Sequence, residues 1–176
     1  MKVINLFAGP GAGKSTTAAG LFHLMKLEGM SVELVTEYAK EMTWEKRNNI
    51  LTDQLYILAK QHRRVRRLRG EVEFVVTDSP FLLCIHYRNG DYTETLDRLV
   101  LELWNQYENI NFFLERTKAY VPVGRSQSED EARGVDRATR ELLDRLRIPF
   151  ETVTGDAQAA SRILERVKAL REGRPS

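Results

Sequence analysis

Nine consecutive residues near the N-terminus carry the strongest chemical signal in the chain: Ala8-Gly9-Pro10-Gly11-Ala12-Gly13-Lys14-Ser15-Thr16. Their spacing matches G-x-x-x-x-G-K-[ST], with Ala8 in the first glycine position. A polyphosphate needs many donors converging on it with no side chains in the way. Gly9, Gly11 and Gly13, with Pro10 and Ala12 between them, let backbone N–H groups curl round such an anion. A helix opening directly afterwards turns its positive end toward the same point. Lys14 adds a point charge for the β- and γ-phosphates, the Ser15 hydroxyl is placed to ligate Mg²⁺, and Thr16 completes the motif. Ala8 is a mild departure, because the glycines that matter most lie nearer the lysine. The expected ligand is a nucleoside triphosphate with Mg²⁺.

Two acids further along stand at the ends of apolar runs. Glu37 follows Leu34-Val35-Thr36, and Asp78 follows Phe74-Val75-Val76-Thr77 and precedes Ser79-Pro80. Ligands of open α/β sheets bind beyond the carboxyl ends of the strands, so both acids are expected at the same edge as Lys14. Without a ligand, Asp78 would cap the turn before Pro80, and Glu37 would be a solvated acid at a helix start, favoured there by the macrodipole. A third cluster is cationic. Lys60, Arg63, Arg64, Arg66, Arg67 and Arg69 crowd the last turns of a helix running from about Leu51, with no acid between them. A helix usually intersperses acids for i, i+4 pairs. Their absence points to a polyanion, with Arg63, Arg64, Arg66 and Arg67 as candidate nucleic-acid contacts, or else to a solvated face or an oligomer contact. His23, His62 and His86 show no metal-binding spacing.

The elements that must position these residues follow from periodicity. Val3 to Ala8 reads as a buried strand ending in the glycine-rich turn, and from Ser15 to about Glu28 the residues Ala18, Leu21, Phe22 and Met25 form one helical face, stopped by Gly29. Further strands are expected over 31–36, 74–78, 110–114 and 148–153. Leu96, Leu99, Val100, Leu103 and Tyr107 mark one helix, and Ala160, Ile163, Leu164 and Val167 the last. Residues 38–70 are too long for one crossover and should hold two helices, the second burying Leu51, Leu55, Leu58, His62 and Val65. Residues 116–134 are polar and aperiodic, which predicts a mobile loop, yielding to a helix where Ser128 and Glu131 have capping-box spacing. Trp44, Trp104, Phe112 and Phe113 are expected in the core or an interface. Strands alternating with helices imply parallel pairing with right-handed crossovers, hence an α/β sheet covered on both faces.

Composition bounds the rest. The 176 residues suit one domain, and 42% hydrophobic with 30% charged residues excludes a disordered chain. The single Cys84 excludes an internal disulfide and fits a reducing compartment. No apolar run approaches ~20 residues and Lys2 leads straight into a strand, so neither a membrane span nor a signal peptide is expected, and the location is expected to be cytoplasmic. With 27 basic and 25 acidic residues, any nucleic-acid site must come from local clustering.

Motif by motif, the chain resembles the P-loop kinases of the thymidylate kinase and deoxynucleoside kinase group. GTPases are set aside because no N-K-x-D motif is present and Asp78 is followed by Ser79-Pro80-Phe81 rather than D-x-x-G. An AAA+ or helicase motor is expected to bring a larger core or an added helical domain. The resemblance implies a three-layer P-loop fold with a five-stranded parallel sheet in the order 2-3-1-4-5 and a lid. It also implies one kinase domain over 1–172, with the lid at about 116–134 and a frayed tail at 173–176. By the same resemblance, the triphosphate is ATP, Asp78 is a Walker B-like acid holding Mg²⁺ together with Ser15, and Glu37 accepts the proton of the attacking hydroxyl; the two acids could exchange these roles. Arg116, Lys118 and Arg125 are lid cations for the transferred phosphoryl group, with Gly124 giving flexibility, and Thr154-Gly155-Asp156 lies where such folds cradle adenine.

The AGPGAGKST loop, the TEYAKE segment, the TDSP strand end and the GRSQSEDEA region are also similar to small bacteriophage kinases that phosphorylate 5-hydroxymethyluracil within DNA. That resemblance implies DNA containing 5-hydroxymethyluracil as partner, in thymidine hypermodification and in the host cytoplasm. A kinase of a free nucleoside, nucleotide or nicotinamide riboside would use the same residues. A P-loop regulator that binds ATP without transfer would not need both strand-end acids. The sequence leaves the oligomeric state open, a dimer included.

Overall fold

Short apolar runs that alternate with amphipathic segments fold here into strand-then-helix units. The computed structural model describes residues 1–90, 92–117, 121 and 128–173. Strands β1 (Lys2–Phe7), β2 (Val32–Val35), β3 (Phe74–Thr77), β4 (Glu108–Glu115) and β5 (Glu151–Thr154) pair in parallel in the order β2-β3-β1-β4-β5. The register sets Val3 beside Val75 and Asn109, and Phe7 beside Phe113. All five carboxyl ends therefore open on one edge.

Because successive strand residues face opposite ways, each strand feeds two cores. Ile4, Leu6, Phe74, Val76, Phe112 and Leu114 pack against α1 (Lys14–Leu27) and α7 (Ala159–Arg171). Val3, Phe7, Val75 and Phe113 pack against α2 (Tyr38–Trp44), α3 (Gln54–Arg66), α4 (Leu83–Tyr87), α5 (Glu94–Trp104) and α6 (Glu129–Arg145). Burial on both faces explains why the strands read as continuous apolar runs. Gly29 adopts φ +70° after α1, the left-handed conformation that ends a helix at least cost to glycine.

Several boundaries depart from expectation. The 38–70 crossover holds two helices joined by a 3₁₀ turn (Asn48–Thr52), but α3 buries Gln54, Ile57, Leu58, Gln61 and Val65, leaving Leu55 44% exposed. Two glutamines occupy core positions, and their polarity hides the true register. In α5, Leu99 is likewise exposed while Leu96, Val100 and Trp104 are buried. The short α4, directly after Ser79-Pro80, is not foreshadowed by the sequence; five residues carry too little periodicity. Within the stretch 116–134, α6 begins at Glu129 behind the capping box that the spacing of Ser128 and Glu131 predicts, so 129–134 are helix and not loop. Three acids in the first turn, favourable at the positive end of a helix, make that turn look like loop. Trp104, Phe112 and Phe113 are buried, whereas Trp44 is 61% exposed. No helix among the described residues is long and apolar enough to cross a membrane.

Candidate active site

β1 delivers the chain into the phosphate loop and α1 leads away from it. Gly11 and Gly13 have φ of 79° and 100°, conformations a side chain would resist, and they turn the backbone into a concave run of amides. Gly13 is the N-cap of α1 and supplies no side-chain cap, so first-turn N–H groups stay free for an anion. The Lys14 ammonium spans the loop, donating to the carbonyl oxygens of Ala8 at 2.6 Å and Gly9 at 3.0 Å. Its third proton is left for a phosphate oxygen. Burial pulls the Lys14 pKa down, and the carboxylates of Glu37, Asp78 and Asp136 oppose that shift.

Glu37 and Lys14 line the same cavity, about 360 Å³ in volume. Glu37 stands at the end of β2 as the N-cap of α2, and its carboxylate makes no capping hydrogen bond. Burial raises its pKa above the ordinary 4.5, Lys14 pulls it back, and the like charge of Asp78 raises it again. Asp78 follows β3, is 2% exposed, and its Oδ1 has no partner among the described residues. A buried carboxylate oxygen without a donor is strained unless a cation or water meets it. Ser15 lines the cavity, and its hydroxyl and the Asp78 carboxylate are the oxygen donors that suit a hard ion such as Mg²⁺.

Behind the two acids lies Gln61, which no sequence motif marks and which is 2% exposed. It accepts from the Tyr38 N–H at 3.1 Å and donates to the Thr36 carbonyl at 3.3 Å and the Thr77 hydroxyl at 3.4 Å. One side chain thereby ties together the ends of β2 and β3, from which Glu37 and Asp78 project. A polar residue in the apolar register of α3 is the signal that could have found it.

Away from the phosphates the cavity is walled by Ala39, Leu51, Ile57 and Leu83, with Trp44 and Tyr87 as aromatic surfaces and Gln54 as a polar group. The Gln54 amide donates to the Leu51 carbonyl at 2.7 Å, which fixes the side chain in the cavity wall. Cys84 also lines the space, but burial and the nearby Glu37 charge push its thiol up to about 12, so it is an inert wall. Of the core or interface expected for it, Trp44 is not in the core: it stands on the rim of the cavity, on the last turn of the short α2.

The cations divide. Arg116, expected in a mobile lid, has a side chain only 5% exposed just past β4, with Nε donating to Asp136 Oδ2 at 2.8 Å. Lys118, Gly124 and Arg125 lie outside the described residues. On α3, Arg64 is held by Glu41 at 2.6 Å, by the Thr36 carbonyl at 3.2 Å and over the Tyr38 ring. Arg69 lies over the Tyr107 ring and donates to Gln106. Arg63, Arg66 and Arg67 are exposed, and none has an ion-pair or hydrogen-bond partner among the described residues. The cavity touches α3 at Gln54 and Ile57, so Arg67 lies about 15 Å further along the helix axis at 1.5 Å per residue.

The turn after β5 closes against the phosphate loop. A Cβ on Gly155 would lie 2.7 Å from the Glu115 carbonyl oxygen and 3.1 Å from that of Ala12, so only glycine fits between them. The Thr117 hydroxyl donates to the Gly155 carbonyl at 3.1 Å.

Set against known proteins, the chain shares a fold with deoxyadenosine kinase from M. mycoides with bound dATP. The TM-score is 0.59 at 16% identity, over 94% of this chain and 98% of that one. The same enzyme with products dCMP and a flexible dCDP gives 0.55 at 16% identity, over 98% and 100%. Identity this low speaks for fold alone: a five-stranded parallel sheet in a P-loop kinase-like arrangement. No curated protein matches the sequence. A family model described as AAA domain matches residues 3–160. The expectation from size that AAA+ proteins could be set aside is therefore corrected at the level of family. From the first strand to the start of the last helix, the chain belongs to the AAA domain family.

Proposed function

We propose that this protein is an ATP-dependent kinase that transfers the γ-phosphoryl group to an alcohol on a nucleobase or nucleoside. The observation that carries this reading is the shared cavity: Lys14, Ser15 and Glu37 line one space, and the charge of Asp78 acts on both Lys14 and Glu37. A motor or regulator needs the phosphate loop and a metal-side acid. A regulator that transfers nothing does not need a second, desolvated carboxylate facing a chamber of mixed polar and apolar walls.

The steps follow from the side chains. Loop amides and Lys14 hold the triphosphate in one orientation and balance the charge that builds on the equatorial oxygens. The chamber walled by Trp44, Leu51, Ile57 and Tyr87 takes the acceptor ring. Glu37, in the ionised state, accepts the proton as the acceptor oxygen bonds to the γ-phosphorus, while the bond from that phosphorus to the β,γ-bridging oxygen breaks and ADP departs. Mg²⁺ held by Ser15 and Asp78 would neutralise the phosphate charge. Arg116, and Arg125 beyond the described residues, would add cations to the same oxygens.

For the acceptor we favour the hydroxymethyl group of 5-hydroxymethyluracil within DNA. The segment similarities support it, and so do the exposed Arg63, Arg66 and Arg67. They lie about 9 to 15 Å from the chamber along the helix axis, or about three to four base steps at 3.4 Å each, where flanking phosphates of a strand with its target base in the chamber would lie. A free nucleoside or nucleotide is the second reading, favoured by the absence of α3 arginines from the cavity wall. Incubation with γ-labelled ATP and two acceptors in parallel decides between them: DNA containing 5-hydroxymethyluracil, and a panel of free nucleosides and nucleotides. Label in the DNA supports the first, label in the panel alone the second. Label in neither, with ATP bound, leaves the non-transferring regulator.

A further inference from the structure

Asp136 belongs to no motif, yet it touches two parts of the site at once. Its Oδ1 accepts the Gly9 N–H, and its Oδ2 accepts Arg116 Nε. Gly9 in turn offers its carbonyl to Lys14 at 3.0 Å. The approach is close: a Cβ on Gly9 would lie 2.3 Å from the Ala132 carbonyl oxygen, so α6 rests directly on the back of the phosphate loop. Gly9 is thus required by the helix behind it, and its amide is committed to Asp136 instead of the anion.

Arg116 is held in an unusual way. A structural arginine–carboxylate pair favours two parallel bonds from the guanidinium fork. Here the carboxylate takes Nε from the side, and both terminal nitrogens, Nη1 and Nη2, are buried with no partner among the described residues. Buried donors without acceptors are costly, so a site that keeps two of them free is built for an acceptor that arrives. The charges of Arg116 and Asp136 both act on Lys14, which places the pair beside the loop.

We infer that Asp136 is a positioning residue that docks α6 onto the phosphate loop and holds Arg116 with both terminal nitrogens free for the phosphate oxygens of the bound nucleotide. This rests on the nucleotide-binding reading above and adds the link between the helix after the lid region and the loop. An acid on the buried stripe of α6, at i+4 from Ala132 and before Thr139 and Leu143, is its only trace in the sequence.

Displacement of mant-ATP by inorganic tripolyphosphate, which reads the phosphate site without the base, tests the link in the full chain. R116A and D136N should each weaken tripolyphosphate about tenfold or more, the loss expected for one charge-assisted hydrogen bond. The double variant should be no weaker than either single one, with circular dichroism reporting an intact fold in each. Losses that multiply in the double variant, or a D136N protein with unchanged affinity, overturn the inference. If a variant does not fold, hydrogen exchange on the wild type decides. Added ATP should slow residues 129–140 together with 9–16, and unchanged exchange in α6 overturns the link. A wild-type chain that binds no mant-ATP removes the nucleotide reading and this inference with it, whereas binding without coupling removes only the latter.

Discussion

Two regions of this molecule concentrate positive charge, and they treat it in opposite ways. Around the phosphate loop, Lys14 and Arg116 are desolvated, each fixed by named oxygens, and each keeps donors in reserve. On the outer turns of α3, Arg63, Arg66 and Arg67 stand in solvent with no fixed partner among the described residues. Local charge density in the sequence favours the second region, yet geometry favours the first. A cation does chemistry when burial strengthens its field and a second group fixes its direction. A cation in water supplies attraction that salt can screen.

The contrast breaks first at Lys14. K14A should cut phosphoryl transfer about 10³-fold or more, at the upper end for loss of one preorganised charge donor, while circular dichroism reports an intact fold. Activity near wild type would reduce the phosphate loop to an incidental turn. E37Q should cost about 10²-fold in kcat, the lower range for a general base, with KM for ATP nearly unchanged. A rate near wild type would pass the proton to Asp78 or to the phosphate itself.

The pH dependence sharpens the same region. Burial holds the Glu37 carboxyl above 4.5 against the pull of Lys14. Its acid limb in kcat/KM should therefore lie above the ordinary glutamate range, with activity lost as pH falls through the raised value. In K14A a carboxyl titration by NMR should move Glu37 higher still; a downward move would refute the proximity of the two groups. Stability has the opposite sign. The folded state holds this proton more tightly than the unfolded chain, so the Glu37 contribution is fully present below 4.5 and is lost as pH rises through the raised value.

The exposed region should respond weakly except to salt. Replacing Arg63, Arg66 and Arg67 by glutamine should change kcat on a free nucleoside less than about twofold, since solvated side chains away from the chemistry touch little. For DNA, the slope of log K against log salt should flatten by about 2.7, or about 0.9 for each phosphate no longer neutralised. An unchanged slope assigns these arginines to a solvated face. Smallest of all, R64A should cost about 1 kcal/mol or less of stability, because its pair with Glu41 is partly exposed. Urea denaturation checks this, and a loss of several kcal/mol would make Arg64 a structural keystone.

What can be read in advance follows from how local each signal is. The phosphate loop is contiguous, its glycines are set by backbone conformation, and β1 and α1 flank it as expected. Strand ends place Glu37 and Asp78 on one edge because parallel topology leaves no alternative. Gln61 and Asp136 are hidden because each acts across many residues of sequence, and a polar side chain at a core position looks like a break in the pattern until its partners are in place. The same masking turns the face of α3 and moves Leu55 to the surface. Arg116 is legible as a cation, but a lone arginine after a strand says nothing of its burial or of the carboxylate that holds it.

By itself the sequence determined the layered α/β architecture, the anion cradle and the edge on which chemistry would occur, because hydrophobic period and glycine spacing are local instructions the backbone obeys wherever it is. Only the tertiary structure decided which charges are desolvated, which amides are already spoken for, and which wall residues share a chamber with Lys14 and Glu37. Those properties depend on distances between elements far apart in the chain, and they exist only once α3, α4 and α6 have packed against the sheet.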